Sequence, residues 1–146
     1  MPWLRRDGKL FRASDGRTTI LRGVDYPYNE EIFERPYDLT EADFARIESW
    51  GLNLLRIRLS GARSGYIPNH PPEPGYLEHL DQLIAAANRH GIYVMPSTVT
   101  GDAESLYAAP EHERLKFVDG TVNHRRWMDF QRAILVRYRD LSLIHI

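Results

Sequence analysis

Apolar and polar positions alternate along the segment from Gly51 to Leu59, and this alternation predicts a β-strand. One face of the strand carries Arg56 and Arg58, and the other face carries leucine and isoleucine. The segment lies between two stretches of helical periodicity, as in a parallel strand covered by helices, where both faces are usually apolar. Two guanidiniums on such a strand need anionic or hydrogen-bonding partners. The alternative is that both arginines reach solvent at the tip of the strand.

The helix before this strand has clear start and stop signals. Thr40 is its predicted N-cap, Asp43 follows three residues later, and Leu39 is placed to pack against Phe44. Gly51 is expected to end the helix, because a left-handed residue is favoured there. The apolar face predicted for this helix consists of Phe44, Ile47 and Trp50.

Two further helices are predicted from the same periodicity. One runs from about Tyr76 to His90 and is followed by Gly91 as its stop. The other is predicted to begin with Asn123 as its N-cap. Its apolar face consists of Trp127, Phe130, Ile134 and Tyr138. Trp50, Trp127 and Phe130 are all expected to lie in the core.

The N-terminal region reads as a hairpin that leads into the first core strand. Asp15 and Gly16 predict a tight turn between two short strands, Leu10–Arg12 and Thr19–Arg22. The chain is then expected to continue as the first core strand over Ile20–Asp25.

The third core strand is predicted over Ile92–Met95. Pro96 is expected to end it, because proline lacks the N–H that pairs strands. The three core strands alternate with helices at intervals that suit right-handed βαβ units. The first βα turn, from Gly23 to Tyr28, lacks the Gly-x-Gly-x-x-Gly pattern of doubly wound sheets. The sequence therefore predicts an α/β fold of the barrel type, with Gly23 permitting a bend or close packing in the first strand.

Composition excludes several kinds of chemistry. The 146 residues suffice for one domain, and the formal charge of -1 gives no reason to expect nucleic acid or an anionic membrane as a partner. The absence of cysteine excludes disulfides, thiolate metal sites and a cysteine nucleophile. The six histidines lack metal-ligand spacing, so neither a metal nor another cofactor is expected. No signal peptide or membrane span is recognisable, which predicts a cytoplasmic protein for the chain as written.

Three segments carry a resemblance to a known family: Asp15–Asp25, Thr40–Ile57 and Leu80–Val94. In order and spacing they resemble the N-terminal part of the glycoside hydrolases of the cellulase family, family 5, and its wider (β/α)8 clan. The resemblance implies that residues 1–140 are the first three βα units of an incomplete (β/α)8 barrel behind an N-terminal hairpin. It also implies a retaining O-glycosyl hydrolase that acts on a β-linked poly- or oligosaccharide.

The same resemblance assigns the catalytic expectations. Arg56 matches the second-strand arginine that supports the nucleophilic carboxylate, whereas Arg58 stands where the family often has proline. The acid/base and nucleophile glutamates of the family follow strands four and seven, so both are expected to be absent from this chain. The chain alone is therefore expected to be inactive. Asn29-Glu30 imitates the family's acid/base motif in the wrong place and is interpreted as solvated loop charge.

The substrate-binding residues expected at the barrel mouth share polar or aromatic side chains near strand ends. They are Asp25, Tyr26, Tyr28, Arg58, Tyr66, Thr98 and Thr100. The aromatic rings would stack on sugars and the threonines would bond to hydroxyls, while core packing and loop capping are the simpler interpretations. Two other functions stay open: a noncatalytic carbohydrate-binding barrel, and a (β/α)8 enzyme acting on phosphorylated substrates.

The last six residues, 141–146, read Leu-Ser-Leu-Ile-His-Ile. This hexapeptide matches the translation of a transposase mosaic end that is used to prepare sequencing libraries. The segment is therefore interpreted as a non-native tail, and the competing interpretation is a fourth strand.

Overall fold

The computed structural model describes residues 3–26, 39–59, 73–98, 122–139 and 141, without the side chains at 98, 122–124, 126 and 127. The described elements are an N-terminal antiparallel sheet and a parallel sheet whose strands alternate with helices. Strands and helices therefore follow the α/β order that the sequence predicts.

The N-terminal sheet has three strands, β1 (Leu4–Asp7), β2 (Leu10–Ala13) and β3 (Thr18–Thr19), in the order β1-β2-β3. The predicted hairpin between β2 and β3 is confirmed, and Gly16 in its turn has a φ of 86°. Strand β1 was not predicted. Its signal was available, because Gly8 follows an aspartate and adopts a φ of 60° in the turn to β2.

The parallel sheet contains β4 (Gly23–Tyr26), β5 (Leu54–Leu59) and β6 (Tyr93–Thr98), in the order β4-β5-β6. The first core strand thus begins three residues later than predicted. The close packing expected at Gly23 is confirmed, because a Cβ built there would lie only 2.1 Å from the carbonyl oxygen of Leu54.

The prediction that Pro96 ends the third core strand is wrong. Pro96 lies opposite Ile57 in the ladder, and the pairing continues to Thr98 opposite Leu59. Strand β6 is an edge strand of the described sheet. Proline is tolerated in an edge strand, where the neighbour does not need the missing N–H.

The helices are α1 (Glu41–Ser49), α2 (Tyr76–Arg89) and α3 (Val122–Tyr138). The predicted cap of α1 is confirmed as a capping box, in which Thr40 and Asp43 each bond to the backbone N–H of the other. The cap predicted for α3 is wrong, because the helix begins at Val122 and Asn123 lies in its first turn.

Apolar side chains from the helices and from one face of the sheet form the core. The core placement of Trp50 is wrong: the helix has ended at Ser49, and the indole is 63% exposed. The side chain of Trp127 lies outside the described residues. The main core residues are Phe44, Ile47, Leu55, Ile57, Leu80, Ile84, Val94, Phe130, Ile134 and Tyr138.

Polar contacts attach α3 to α2. The Asp81 carboxylate accepts hydrogen bonds from Arg137 Nε at 3.1 Å and Nη2 at 2.5 Å, and from the Tyr138 hydroxyl at 2.8 Å. Burial, reinforced by the hydrogen bond to Asp81, raises the pKa of Tyr138. Tyr138 is therefore a neutral donor that joins the core to an ion pair at its edge.

His90 joins α2 to α1 through both of its ring nitrogens. Nδ1 lies 2.8 Å from Glu48 Oε2, and Nε2 lies 2.9 Å from Glu41 Oε2. A neutral imidazole donates from one nitrogen only, so two carboxylate partners require the doubly protonated ring. Hydrogen bonds to Glu48 first and Glu41 second raise the pKa of His90.

We expect the stabilising effect of His90 to be lost at high pH. Because the pKa is raised in the folded state, the stabilisation is complete below the unfolded pKa of about 6.5 and is lost as the pH rises through the folded pKa. Thermal unfolding of wild type and His90→Gln should therefore differ most near pH 6 and least near pH 9. Glu48→Gln should reduce this pH dependence, and a difference in melting temperature that is constant with pH would contradict the assignment.

Candidate functional site

The candidate site is the face of the parallel sheet that points away from the helices. In the ladder Asp25 lies opposite Arg56, Arg56 opposite Met95, and Arg58 opposite Ser97. Paired residues point to the same side of a sheet, and burial alternates along β5 with every second residue buried. The predicted placement of both arginines on one face is therefore confirmed. We call this face the inner face.

Asp25 lies between the two guanidiniums. Its Oδ1 is 3.5 Å from Arg56 Nη1, and its Oδ2 is 3.0 Å from Arg58 Nε. The side chains of Asp25 and Arg56 are each 42% exposed, and that of Arg58 is 24% exposed. The arginines thus have the anionic partner that the sequence required, while part of each still reaches solvent.

The inner face carries an excess of positive charge. Its described strand residues contribute two guanidiniums and one carboxylate. Arg58 is the next-to-last residue of β5, so this charge lies towards the carboxyl end of the strand. Such a site suits a second carboxylate or another group that carries or develops negative charge.

Ser97 belongs to the same face and was missed as a site residue. Its Oγ is buried and has no hydrogen-bond partner within the described part of the chain. The sequence assigned Ser97 to a loop because Pro96 was expected to end the strand. Period-2 alternation continued through the proline would have placed it beside Arg58.

Tyr26 does not lie on the inner face. It is opposite Ile57, is 7% exposed, and belongs to the core beneath the helices. Its position in register decides this, because it is one residue beyond Asp25 and must point to the other side. This placement does not fit the sugar-stacking role expected for Tyr26.

The remaining predicted residues are described little or not at all. The backbone of Thr98 lies opposite Leu59, but its side chain is outside the described residues. Tyr28, Tyr66 and Thr100 also lie outside them. Asn29-Glu30 and the tail from residue 142 onwards do so as well.

Asn53 attaches the N-terminal segment to the amino end of β5. Its Oδ1 accepts from the Arg22 N–H at 2.9 Å, and its Nδ2 donates to the Ile20 carbonyl at 3.0 Å. Its own carbonyl accepts from the Tyr93 N–H at 2.8 Å. The first core strand therefore starts late because the residues before it bond to Asn53.

A pocket of about 340 Å³ lies at this amino end, opposite to the end that carries Arg58. Tyr93 is 5% exposed there, and its burial raises the pKa of its hydroxyl. The pocket thus lies at the amino ends of the parallel strands, which we call the floor of the sheet. Its lining is Ala13, Arg17, Thr18, Thr19, Ile20, Asn53, Gly91 and Tyr93.

Within the described ranges, no three histidine or acidic side chains come together in a way that would hold a metal ion. Likewise, none of the helices described is long and apolar enough to cross a membrane.

No protein-family model matches the chain. Among curated proteins, a glucan 1,3-β-glucosidase from Blumeria graminis is 42% identical over 57 residues, covering 39% of this chain and 13% of that protein. A glucosylceramidase from Rhizopus delemar is 25% identical over 116 residues, covering 61% of this chain and 17% of that protein. The matched stretches are thus less than a fifth of the length of these relatives.

Solved structures share the fold. An exo-β-1,4-mannosidase from an Opitutaceae bacterium matches with a TM-score of 0.63 at 21% identity, covering 90% of this chain and 24% of that one. An endogalactoceramidase matches with a TM-score of 0.55 at 21% identity, covering 65% and 22%. A β-glucanase from Saccharophagus degradans in complex with cellotetraose matches with a TM-score of 0.51 at 23% identity, covering 66% and 27%.

The fold resembles part of a (β/α)8 glycoside hydrolase. By name, these curated relatives are glucan 1,3-β-glucosidases and a glucosylceramidase. Together with the structures they confirm the resemblance to the glycoside hydrolases of the cellulase family.

We expect Asn53 to hold the floor of the sheet together. Asn53→Ala removes two side-chain bonds to backbone groups and should lower the free energy of unfolding by roughly 1–3 kcal/mol. Asn53→Asp keeps the acceptor for the Arg22 N–H and loses the donor to Ile20, so its effect should be intermediate. Chemical denaturation measures both, and an Asn53→Ala variant as stable as wild type would refute this role.

Proposed function

We propose that this chain supplies the first three βα units of a retaining glycoside hydrolase that cleaves O-glycosidic bonds of a β-linked poly- or oligosaccharide. The observation that carries the proposal is the excess guanidinium charge on the inner face of a parallel sheet. Such a partner keeps a buried catalytic carboxylate ionised, and the relatives are by name a glucan 1,3-β-glucosidase and a glucosylceramidase.

Arg56 is the residue proposed to support the nucleophile. Retaining hydrolysis uses two carboxyl groups about 5–5.5 Å apart, one as acid/base and the other as nucleophile. A guanidinium beside the nucleophile lowers the pKa of that carboxyl and keeps it charged at neutral pH. We propose that both glutamates come from strands beyond residue 140, and that residues 141–146 are not native.

The substrate class follows from the relatives. Their names include a glucan 1,3-β-glucosidase and a glucosylceramidase, which both specify glucosides, and an exo-β-1,4-mannosidase, which specifies mannosides. We therefore propose a carbohydrate substrate with a β-linked sugar, which binds at the inner face. A noncatalytic sugar-binding barrel is the alternative, and the activity of the full-length protein decides between the two.

In the full-length protein, Arg56→Ala should reduce kcat roughly 100-fold or more, because it removes charge stabilisation at the nucleophile. Arg56→Lys should recover only part of the loss, since an ammonium lacks the planar fork of a guanidinium. The matched control is Arg46→Ala on the exposed side of α1, which should leave kcat unchanged. Near-normal turnover in Arg56→Ala would overturn the assigned role.

The 146-residue chain by itself should hydrolyse no glycoside, because we place neither carboxyl group of the reaction within it. The measurement is reducing-sugar release from β-linked substrates by the purified chain. Sustained release that a substitution within this chain abolishes would place the catalytic pair here and contradict the proposal.

A further inference from the structure

We propose that Asp25 is a positioning residue, which orients Arg56 towards the nucleophilic carboxylate and does not bind sugar itself. This inference rests on the proposed function and deepens it, because it revises the substrate-binding role that the sequence suggested for Asp25. The observation behind it is the shared ion pair on the inner face.

The sheet register brings the three charges together. Asp25 is the ladder partner of Arg56, and Arg58 lies two residues further along the same face of β5. Each carboxylate oxygen therefore lies next to a different guanidinium, with Oδ1 towards Arg56 and Oδ2 towards Arg58. One short side chain on the neighbouring strand thus restrains two long ones.

The two contacts are unequal, and the difference suggests separate roles. Arg58 is the closer at 3.0 Å and the less exposed at 24%, so it makes the stronger charge contact with the carboxylate, although its Nε is not aligned for a hydrogen bond. Arg56 lies 3.5 Å away, beyond normal hydrogen-bond length, and is 42% exposed. The charge of Asp25 therefore orients Arg56 without using all of its N–H donors. The remaining donors of the guanidinium can bind a second carboxylate.

Asp25 also sets the local charge. Without it, two guanidiniums two residues apart on one face would repel each other and move apart. With it, the cluster carries one net positive charge, which matches one ionised nucleophile. Because a carboxylate near other carboxyl groups raises their pKa values, removal of Asp25 should lower the pKa values of both catalytic groups.

The first experiment measures pH profiles of Asp25→Asn in the full-length protein. We expect kcat to fall about tenfold with KM within about twofold of wild type, because orientation is lost and sugar contacts are kept. Both limbs of the kcat/KM profile should move down by roughly half a unit to one unit. Asp25→Glu keeps the charge and should leave both limbs near their wild-type positions.

A matched control is Asp15→Asn. Asp15 pairs with Arg17 at 2.7 Å in the exposed turn between β2 and β3, outside the strands that carry Asp25, Arg56 and Arg58. This variant should keep the wild-type kcat and pH profile. If Asp25→Asn raises KM with kcat and both limbs unchanged, Asp25 binds sugar directly and the inference is overturned.

The second experiment needs no catalytic activity. Phenylglyoxal modifies arginine, and mass spectrometry follows each site in the protein. In Asp25→Asn, Arg56 and Arg58 should be labelled about two- to fivefold faster, as expected for loss of a partly exposed ion pair. In Arg58→Met, Arg56 should be labelled more slowly than in wild type, because Asp25 then pairs with Arg56 only. Arg17 should respond only to Asp15→Asn.

The outcomes separate the two proposals. If the full-length wild-type protein hydrolyses no glycoside, the proposed function fails. The labelling rates then still decide whether Asp25 restrains the two arginines. If wild type is active and Asp25→Asn changes neither the pH limbs nor the labelling of Arg56 and Arg58, the proposed function stands and the positioning role is refuted. Arg58→Met also provides a second test should Asp25→Asn fail to fold.

Discussion

The alternation of side chains along β5 is the constraint on which the rest of the structure depends. Successive residues of a strand point to opposite sides, so one side of β5 offers Leu55, Ile57 and Leu59 to the helices. The other side must then carry Arg56 and Arg58. A shift of one residue would bury both guanidiniums under the helices and expose the core, so the register is strongly determined.

The surrounding elements hold this strand in place at its amino end and on the side of the helices. Asn53 joins the amino end of β5 to the N-terminal segment, and Gly23 lets β4 approach it closely. Across the helices, His90 links α2 to α1, and Asp81 links α2 to α3. These polar contacts lie at the rim of the apolar core, where they fix the positions of helices that hydrophobic packing alone would leave adjustable.

The charges of the inner face illustrate how a site can be built on rigid elements. Asp25 and both arginines belong to paired strands, not to loops, so their backbone positions are set by the ladder. Side chains on strands are held more accurately than side chains on loops. The partial exposure of Arg56 leaves room beside it for another group.

Local signals in the sequence determined the element types. The capping box at Thr40, the glycine after α1, the Asp-Gly turn before β3 and the period-2 pattern of β5 all act over a few residues, and all were predicted correctly. They also placed both arginines on one face. Strand β1 was missed, although an equivalent Asp-Gly signal precedes β2.

Only the tertiary structure decided which distant residues meet. The carboxylate of Asp25 reaches both arginines because β4 pairs with β5 in one register, and the same register turns Tyr26 into the core. The partners of His90 are more than 40 residues away in the chain. Short-range patterns carry no information about such distances, since pairing between strands and packing between helices depend on the whole fold.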